Sequence, residues 1–322
     1  MLVKPPHLTF GDTIGIVAPS LPLMEGMKPS YTLGKQRLES WGFHLKEGKT
    51  TRLQHWWSAG QPKDQADDIN TMFADPSVGA LVALTGGFSA MSVLGLLDYD
   101  LIRQNPKPLI GMSDITLYHW AMLSQCGLIG FHGNTLTEGF ADAYDNAPIA
   151  HQTALKDIYL RLLTDPTPLG LLPALTERTC LRSGAAHGPL LGGNLKRFVA
   201  LAGTDYDLPA SSFDGAILFW EEIGETIYDI SLNLYKLKHL GVFDRISGMI
   251  IGRLTWVNQY FDEITHPTPH EAILAVLKEY TFPILSADDF GHQGSILPLV
   301  IGLNTRIDAD QLSIEITEAA TT

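Results

Sequence analysis

The sequence predicts an α/β protein, with a doubly wound, parallel-sheet N-terminal domain and a smaller α+β C-terminal domain. In the first half, short apolar runs rich in β-branched residues alternate with stretches of helical spacing, the order typical of a parallel sheet. A Pro- and Gly-rich stretch follows, and strands and helices are mixed beyond it. We therefore predict a first domain over residues 1–164, a linker over 165–186 and a second domain over 187–322.

Five buried strands are predicted in the N-terminal domain, each a short apolar run. The predicted strands cover residues 13–18, 43–45, 79–84, 108–110 and 128–131, and the predicted helices cover about 30–41, 61–73, 90–104 and 115–123. Ligands of such sheets bind at the carboxyl ends of the strands. Gly86, Gly87 and Ser113 all follow strand ends, so we expect them at a ligand site.

The C-terminal domain is predicted from a mixed pattern. Strands are expected over 216–220 and 249–252, a helix over 226–240, and strand-like runs between 296 and 317 that break at 308–310. A second helix begins after Thr268, because Pro269 and Glu271 complete a capping box there.

Composition excludes several classes of protein. The chain has 322 residues, 45% of them hydrophobic, and a net charge of −13 with only 22 Lys and Arg, which argues against a nucleic-acid partner. The N-terminal residues show neither a signal peptide nor a membrane span, so we expect a cytoplasmic protein with no membrane partner. Cys126 and Cys180 are too few for a disulfide framework or a zinc site and are interpreted as packing residues.

Three short motifs are weak evidence for ligand sites. Gly48 begins a Gly-Lys-Thr sequence, but Phe43 stands where a phosphate-binding loop needs glycine. His266 and His270 have the spacing of zinc ligands, yet prolines interrupt the helix they would need, so no metal site is expected. The segment 192–194, Gly-Gly-Asn, is either an anion cradle at a helix start or a tight turn with an asparagine cap.

Ser113 lies between the predicted strand at 108–110 and a helical stretch, a position suited to a nucleophile. A serine on such a turn exposes its hydroxyl beside the N–H groups that open the next helix, which can stabilise an oxyanion. The alternative is that Ser113 and Asp114 only cap the helix.

A serine nucleophile needs a base and an acid that orients the base. His292 lies in a Gly-flanked loop, where functional groups are common. Glu221 and Glu222 end an apolar strand, and strand alternation predicts that only one of them faces the site. Serine, acid and histidine from three strand ends would form a triad.

Several segments together resemble one family, the serine LD-carboxypeptidases, which include the microcin C immunity peptidases. The resemblance runs in order over essentially the whole chain. It is carried by GDTIGIVAPS at 11–20, TGG at 85–87, KPLIGMSDIT at 107–116, FHG at 131–133, ILFWEE at 217–222, GH at 291–292 and LPL at 297–299.

The resemblance implies a catalytic triad and needs no metal or cofactor. In that family the serine of the Gly-x-Ser-Asp turn is the nucleophile, the first acid of the strand-end pair is the triad glutamate, and the late Gly-His supplies the base. These positions are Ser113, Glu221 and His292 here.

The resemblance also implies the surroundings of the nucleophile. The N–H groups of Asp114 and Gly87 would form the oxyanion hole, while Gly86 and Phe88 would contact substrate. A homodimer is expected.

The substrate class is left open between two branches of the family. Murein-recycling members cleave an amide next to a free carboxylate, between a diamino acid and a terminal D-alanine, whereas the immunity branch cleaves aminoacyl-nucleotide amides. Many murein-recycling members have Arg before the Gly-Gly pair and Tyr-Gly after it; this chain has Thr85 before and Phe88-Ser89 after. The expected partner is therefore a small peptide or an aminoacyl nucleotide.

Two other classes remain as alternatives. The α/β-hydrolase esterases need glycine two residues after the nucleophile, where this chain has Ile115. A non-catalytic binding module would use Gly86 and Gly87 to hold a ligand, with Ser113 as a helix cap only.

Overall fold

A computed structural model describes residues 2–258 and 265–322. Numbered along the chain, the strands are β1 (Thr13–Val17), β2 (His44–Glu47), β3 (Val78–Ala83), β4 (Leu109–Gly111), β5 (Gly130–His132), β6 (Gly170–Leu171), β7 (Arg178–Arg182), β8 (Ala185–Asn194), β9 (Ile217–Ile223), β10 (Gly248–Thr255), β11 (Ile284–Ala287), β12 (Leu299–Ile301), β13 (Asn304–Asp308) and β14 (Ser313–Ile316). The helices are α1 (Lys28–Ser40), α2 (Pro62–Ala74), α3 (Tyr99–Gln104), α4 (Thr116–Cys126), α5 (Ile149–Thr164), α6 (Leu195–Ala200), α7 (Ile227–His239) and α8 (Pro269–Val276).

The first sheet has six strands in the order β12-β5-β4-β3-β1-β2. The five strands β1 to β5 are parallel, and β12 adds to β5 in the antiparallel direction. Strands β1, β3 and β4 are almost wholly buried, as expected for a parallel sheet covered on both faces. The order reverses between β1 and β3, and this is where ligands bind in open α/β sheets.

The second sheet has eight strands in the order β6-β14-β13-β8-β9-β10-β11-β7. Strands β8 to β11 are parallel at its centre, and the outer strands pair in the antiparallel direction. The α/β class predicted from the sequence is thus confirmed. Residues 165–186, predicted to be a linker, contribute β6 and β7 to this sheet, and β12 crosses into the first one; the proposed division into domains stays a prediction.

The helix predicted over residues 90–104 is the main difference within the N-terminal half. The structure has one-turn 3₁₀ helices at Ala90–Ser92 and Leu94–Leu96, and only α3 is α-helical. The extended backbone of Leu97 ends the second turn, and Asp98 starts α3 anew by accepting a hydrogen bond from the N–H of Leu101. Apolar spacing alone did not reveal this break.

The predicted helices of the C-terminal half agree better with the structure. Thr226 caps α7 and Thr268 caps α8, each in a complete capping box. Strand β9 is longer than predicted and includes both glutamates of the strand-end pair. None of the helices in the described ranges is both long enough and apolar enough to cross a bilayer.

Candidate active site

Ser113 stands on a strained turn between β4 and α4. Its backbone has φ of +63°, a left-handed conformation that a non-glycine residue adopts only where its surroundings enforce it. No side-chain hydrogen bond caps the 3₁₀ turn Ser113–Ile115 or α4. The Ser113 side chain therefore does not act as a helix cap.

Asp114 joins the three loops that follow β1, β3 and β4. Its buried Oδ2 accepts hydrogen bonds from Ser20 Oγ at 2.6 Å and from the Ala90 N–H at 2.9 Å. Arg197 Nε lies 3.4 Å from the other oxygen, Oδ1. Since each loop is tied to the same carboxylate, the turn that carries Ser113 is held firmly against its neighbours.

The glycine turn after β3 packs directly on Ser113. A Cβ added to Gly86 would lie 2.7 Å from Ser113 Cβ and 3.6 Å from the Asp114 N atom, and one added to Gly87 would lie 2.3 Å from Ser20 Oγ. Only glycine, which has no Cβ, lets the backbone of this turn pack so closely on Ser113 and on Ser20. The Gly87 carbonyl accepts a hydrogen bond from Arg197 Nη2 at 2.9 Å, whereas the Gly87 N–H has no acceptor within the ranges that the structure describes.

His292 and Glu221 form a buried pair. His292 Nδ1 lies 2.7 Å from Glu221 Oε2, and Thr255 Oγ1 donates a hydrogen bond to the His292 carbonyl at 2.8 Å. Burial by itself lowers the pKa of His292, but the charge and hydrogen bond of Glu221 outweigh it and raise that pKa to about 8. Burial raises the pKa of Glu221, and the charge of His292 more than reverses this, so the pKa lies below its ordinary value.

Asn194 connects both members of the glutamate pair. Its Nδ2 donates to Glu221 Oε1 at 3.2 Å and to Glu222 Oε1 at 2.9 Å. The two glutamates take different positions: Glu221 contacts His292, and Glu222 is the member of the pair that lines the cavity. Glu222 folds back along its own backbone, where the N–H of Ile223 donates to Oε1 at 3.0 Å, and it lines the same cavity as His292.

The Gly-Gly-Asn segment at 192–194 combines features of both alternatives. Asn194 caps α6 by accepting from the Arg197 N–H, as in the turn-and-cap interpretation. The Lys196 N–H at this helix start also donates to an anion, but that anion is the protein's own Glu222, at 2.9 Å. Burial first, and the charge of Glu221 second, raise the pKa of Glu222 to about 7.

One open cavity of about 430 Å³ brings the predicted residues together. Gly86, Gly87, Phe88, Ser113 and His292 line it, with Glu221 behind His292. Ser113 Oγ and His292 are not hydrogen-bonded to each other in this structure. Such bonds are often long or poorly aligned before substrate binds.

Several further residues of the cavity were not singled out from the sequence, four of them charged or aromatic residues that bear on ligand binding. Glu138, Lys196, Arg197 and Trp256 all line it. Arg197 lies 5.3 Å above the exposed ring of Phe88, measured from Cζ to the ring centroid. Arg197 follows Asn194 at a helical spacing that could have pointed to it, but nothing in the local sequence of Glu138 or Trp256 indicates a cavity.

The weaker motifs have other contacts in the structure. The N–H groups of Lys49 and Thr50 donate to the Asp68 carboxylate, so they bind an internal anion. His266 Nδ1 lies 3.1 Å from the Tyr228 hydroxyl, and His270 Nε2 lies 3.3 Å from Ser286 Oγ.

Comparison with known proteins agrees with this architecture. The LD-carboxypeptidase N-terminal domain model matches residues 14–133, and the LD-carboxypeptidase C-terminal domain model matches residues 187–307. A probable murein peptide carboxypeptidase of Bacillus subtilis is 33% identical over 77% of this chain and 74% of its own length. The microcin C7 self-immunity protein MccF of Escherichia coli is 29% identical over 97% of this chain and 94% of its own length.

A solved structure of MccF in complex with glutamyl sulfamoyl guanosine superposes with a TM-score of 0.87 at 26% identity, covering 99% of both chains. The two-domain fold and the sequence relationship therefore extend over nearly the entire chain. The protein belongs to the LD-carboxypeptidase family.

Proposed function

We propose that the protein is a serine-type peptidase that hydrolyses an amide bond next to a free carboxylate, as an LD-carboxypeptidase of murein tetrapeptide. The observation that carries the proposal is the shared cavity of Ser113, on its strained turn, and His292, paired with Glu221. The match to the murein peptide carboxypeptidase supports this substrate.

In the proposed mechanism, Ser113 Oγ attacks the amide carbonyl carbon while His292 Nε2 takes the hydroxyl proton. The oxyanion that forms is bound by the N–H groups of Gly87 and Asp114. Collapse of this intermediate breaks the C–N bond, and His292 returns its proton to the leaving amine. Water, activated by His292, then hydrolyses the ester on Ser113 and restores the enzyme.

Glu221 has a positioning role in this scheme. Its hydrogen bond to His292 Nδ1 leaves Nε2 for the serine and stabilises the imidazolium that forms during the attack. Asn194 and the buried surroundings keep Glu221 in place.

A second candidate is hydrolysis of aminoacyl-nucleotide amides, as in the immunity branch. The likeness to MccF over nearly the whole chain supports it, because solved structures of that protein hold glutamyl sulfamoyl guanosine and aspartyl sulfamoyl adenosine. A cytoplasmic location and a homodimer stay predictions for either substrate.

Mass spectrometry of products tests the proposal and separates the two candidates. The protein is incubated with a murein tetrapeptide and, in parallel, with an aminoacyl sulfamoyl nucleotide. We expect release of the terminal D-alanine from the peptide; cleavage of the nucleotide alone would favour the second candidate. Ser113→Ala should abolish turnover, whereas Ser92→Ala, on an exposed neighbouring turn, should not. A Ser113→Ala variant that retains turnover would contradict the serine mechanism, and binding without any cleavage would indicate a binding module.

A further inference from the structure

Glu138 carries a carboxylate for which the protein itself supplies no partner. The residue begins a π-helical turn, Glu138–Ala143, and lines both the cavity of Ser113 and an adjoining cavity that also includes His292 and Trp256. Within residues 2–258 and 265–322, its side chain accepts no hydrogen bond and forms no ion pair. Burial, foremost, raises its pKa, and the positive charge of His292 counteracts this.

The other charged groups of the cavity are already compensated. Lys196 Nζ pairs with Glu225 Oε1 at 2.5 Å, and Arg197 is held by Asp114 and the Gly87 carbonyl. The Glu222 carboxylate accepts three hydrogen bonds, from Asn194, Lys196 and Ile223. Neither cation is therefore free for Glu138. Its half-buried carboxylate lines the cavity without a partner from the protein, so it is available to a cationic group of a ligand bound there.

We propose that Glu138 binds an ammonium group of the substrate beside the scissile amide. This inference rests on the proposed function and adds a specificity residue to it. A carboxylate accepts hydrogen bonds from an ammonium in a charge-assisted contact, which is stronger where water is excluded. The ammonium could be the side-chain amine of a diamino acid in a peptide or the α-amine of an aminoacyl nucleotide, and the experiment below separates these sources.

The alternative role for Glu138 is electrostatic, acting through His292 without touching substrate. In that case its removal would change the rate for every substrate by a similar factor. A direct contact would change only the rate for substrates that carry the ammonium. The two roles thus differ in how the loss depends on the substrate.

The test compares matched substrates with the amine free or acetylated. Steady-state kcat/KM is measured at pH 7 for a diamino-acid peptide and an aminoacyl sulfamoyl nucleotide, each in both forms. Glu138→Gln is the test variant, and Asp145→Asn is the control, because Asp145 is a nearby exposed acid that pairs with Arg37 and lines neither cavity.

We expect the protein to prefer the free amine in at least one pair, and Glu138→Gln to reduce kcat/KM for that compound about 10- to 100-fold, mainly through KM. The acetylated compound should lose less than about threefold. If Glu138→Gln affects the free and acetylated peptides differently, the ammonium is that of the diamino acid. If it affects the free and acetylated nucleotides differently, the ammonium is the α-amine of the aminoacyl group. Equal losses for free and acetylated substrates, no initial preference for the free amine, or an equal effect of Asp145→Asn would each overturn the proposal.

If the protein cleaves none of the four compounds, the proposed function fails, and calorimetry with the Ser113→Ala variant decides the inference separately. Tighter binding of a free-amine compound than of its acetylated form, lost in Ser113→Ala/Glu138→Gln, would still support it. Equal binding of both forms would refute it.

Discussion

Replacing Gly86 by alanine should displace the proposed nucleophile without unfolding the protein. The added Cβ would lie 2.7 Å from Ser113 Cβ and 2.9 Å from its Oγ, where ordinary contact begins at 3.4 Å. Gly86 is not among the glycines with positive φ, so alanine can adopt its backbone conformation and the effect is steric. The nearest atom is Ser113 Cβ, and rotation of the serine side chain does not move a Cβ atom. The close contact is therefore relieved only by a shift of the backbone, which displaces Ser113.

The required displacement is about 0.7 Å, the shortfall from the 3.4 Å contact limit. A misplacement of about 1 Å costs on the order of 10²-fold in rate, so kcat should fall roughly 30- to 100-fold. Overpacking of this kind typically costs about 1–3 kcal/mol of stability, which leaves a domain of ordinary stability folded.

Gly26→Ala is the matched control, since a Cβ there meets no atom within 4 Å and its φ is not positive. Both variants are compared with the parent by product formation and by thermal unfolding. The control should keep the parent kcat. A folded Gly86→Ala protein with kcat within threefold of the parent would refute the placement of Ser113 as nucleophile against this glycine.

Three further predictions concern the buried ionisable groups. The pKa of about 8 for His292 implies that kcat/KM rises with pH through a midpoint near 8, above the value of about 6.5 for a free histidine. His292→Gln should remove this rise. A midpoint near 6.5 would show that Glu221 does not act on the base. Glu221→Gln should fold normally, checked by circular dichroism, and lose about 10²- to 10⁴-fold in turnover by analogy with other triads; a loss below tenfold would contradict its role. Because the folded-state pKa of Glu222 is raised from 4.5 to about 7, its protonation stabilises the fold below about pH 4.5, and that stability is lost as pH rises through 7. Urea unfolding gives the free energy of unfolding of Glu222→Gln and of the parent at pH 4.5 and at pH 8. The variant should become more stable relative to the parent by about 3 kcal/mol between these two pH values. A stability difference that does not change with pH would contradict the burial of the Glu222 charge.

Much of the fold is predictable because it depends on neighbours in the chain. The alternation of buried strands and amphipathic helices is a local pattern, as are the capping boxes at Thr226 and Thr268, and the structure contains these elements. The turn that carries Ser113 follows from the glycine before it and the helix after it. Where a local break was subtle, as at Leu97 and Asp98, apolar spacing predicted too long a helix.

The arrangement of the site depends on contacts between distant segments. The resemblance to a known family pointed to Ser113, Glu221 and His292, but the hydrogen bond between the last two joins residues 71 positions apart, which no local pattern specifies. Strand alternation predicted opposite directions for Glu221 and Glu222. Their contacts do differ, since Glu221 bonds His292 and Glu222 lines the cavity, but alternation could not show that Asn194, from the neighbouring strand β8, donates to both carboxylates.

The sequence by itself thus determined the α/β class, the order of most elements and the serine turn, because periodicity, caps and glycines act over a few residues. Only the tertiary structure decided which side chains share the cavity and how each is charged. Glu138 shows the reason most directly. Its local sequence resembles any solvated helix start, and its unpaired carboxylate becomes significant only when the fold places it in one cavity with His292.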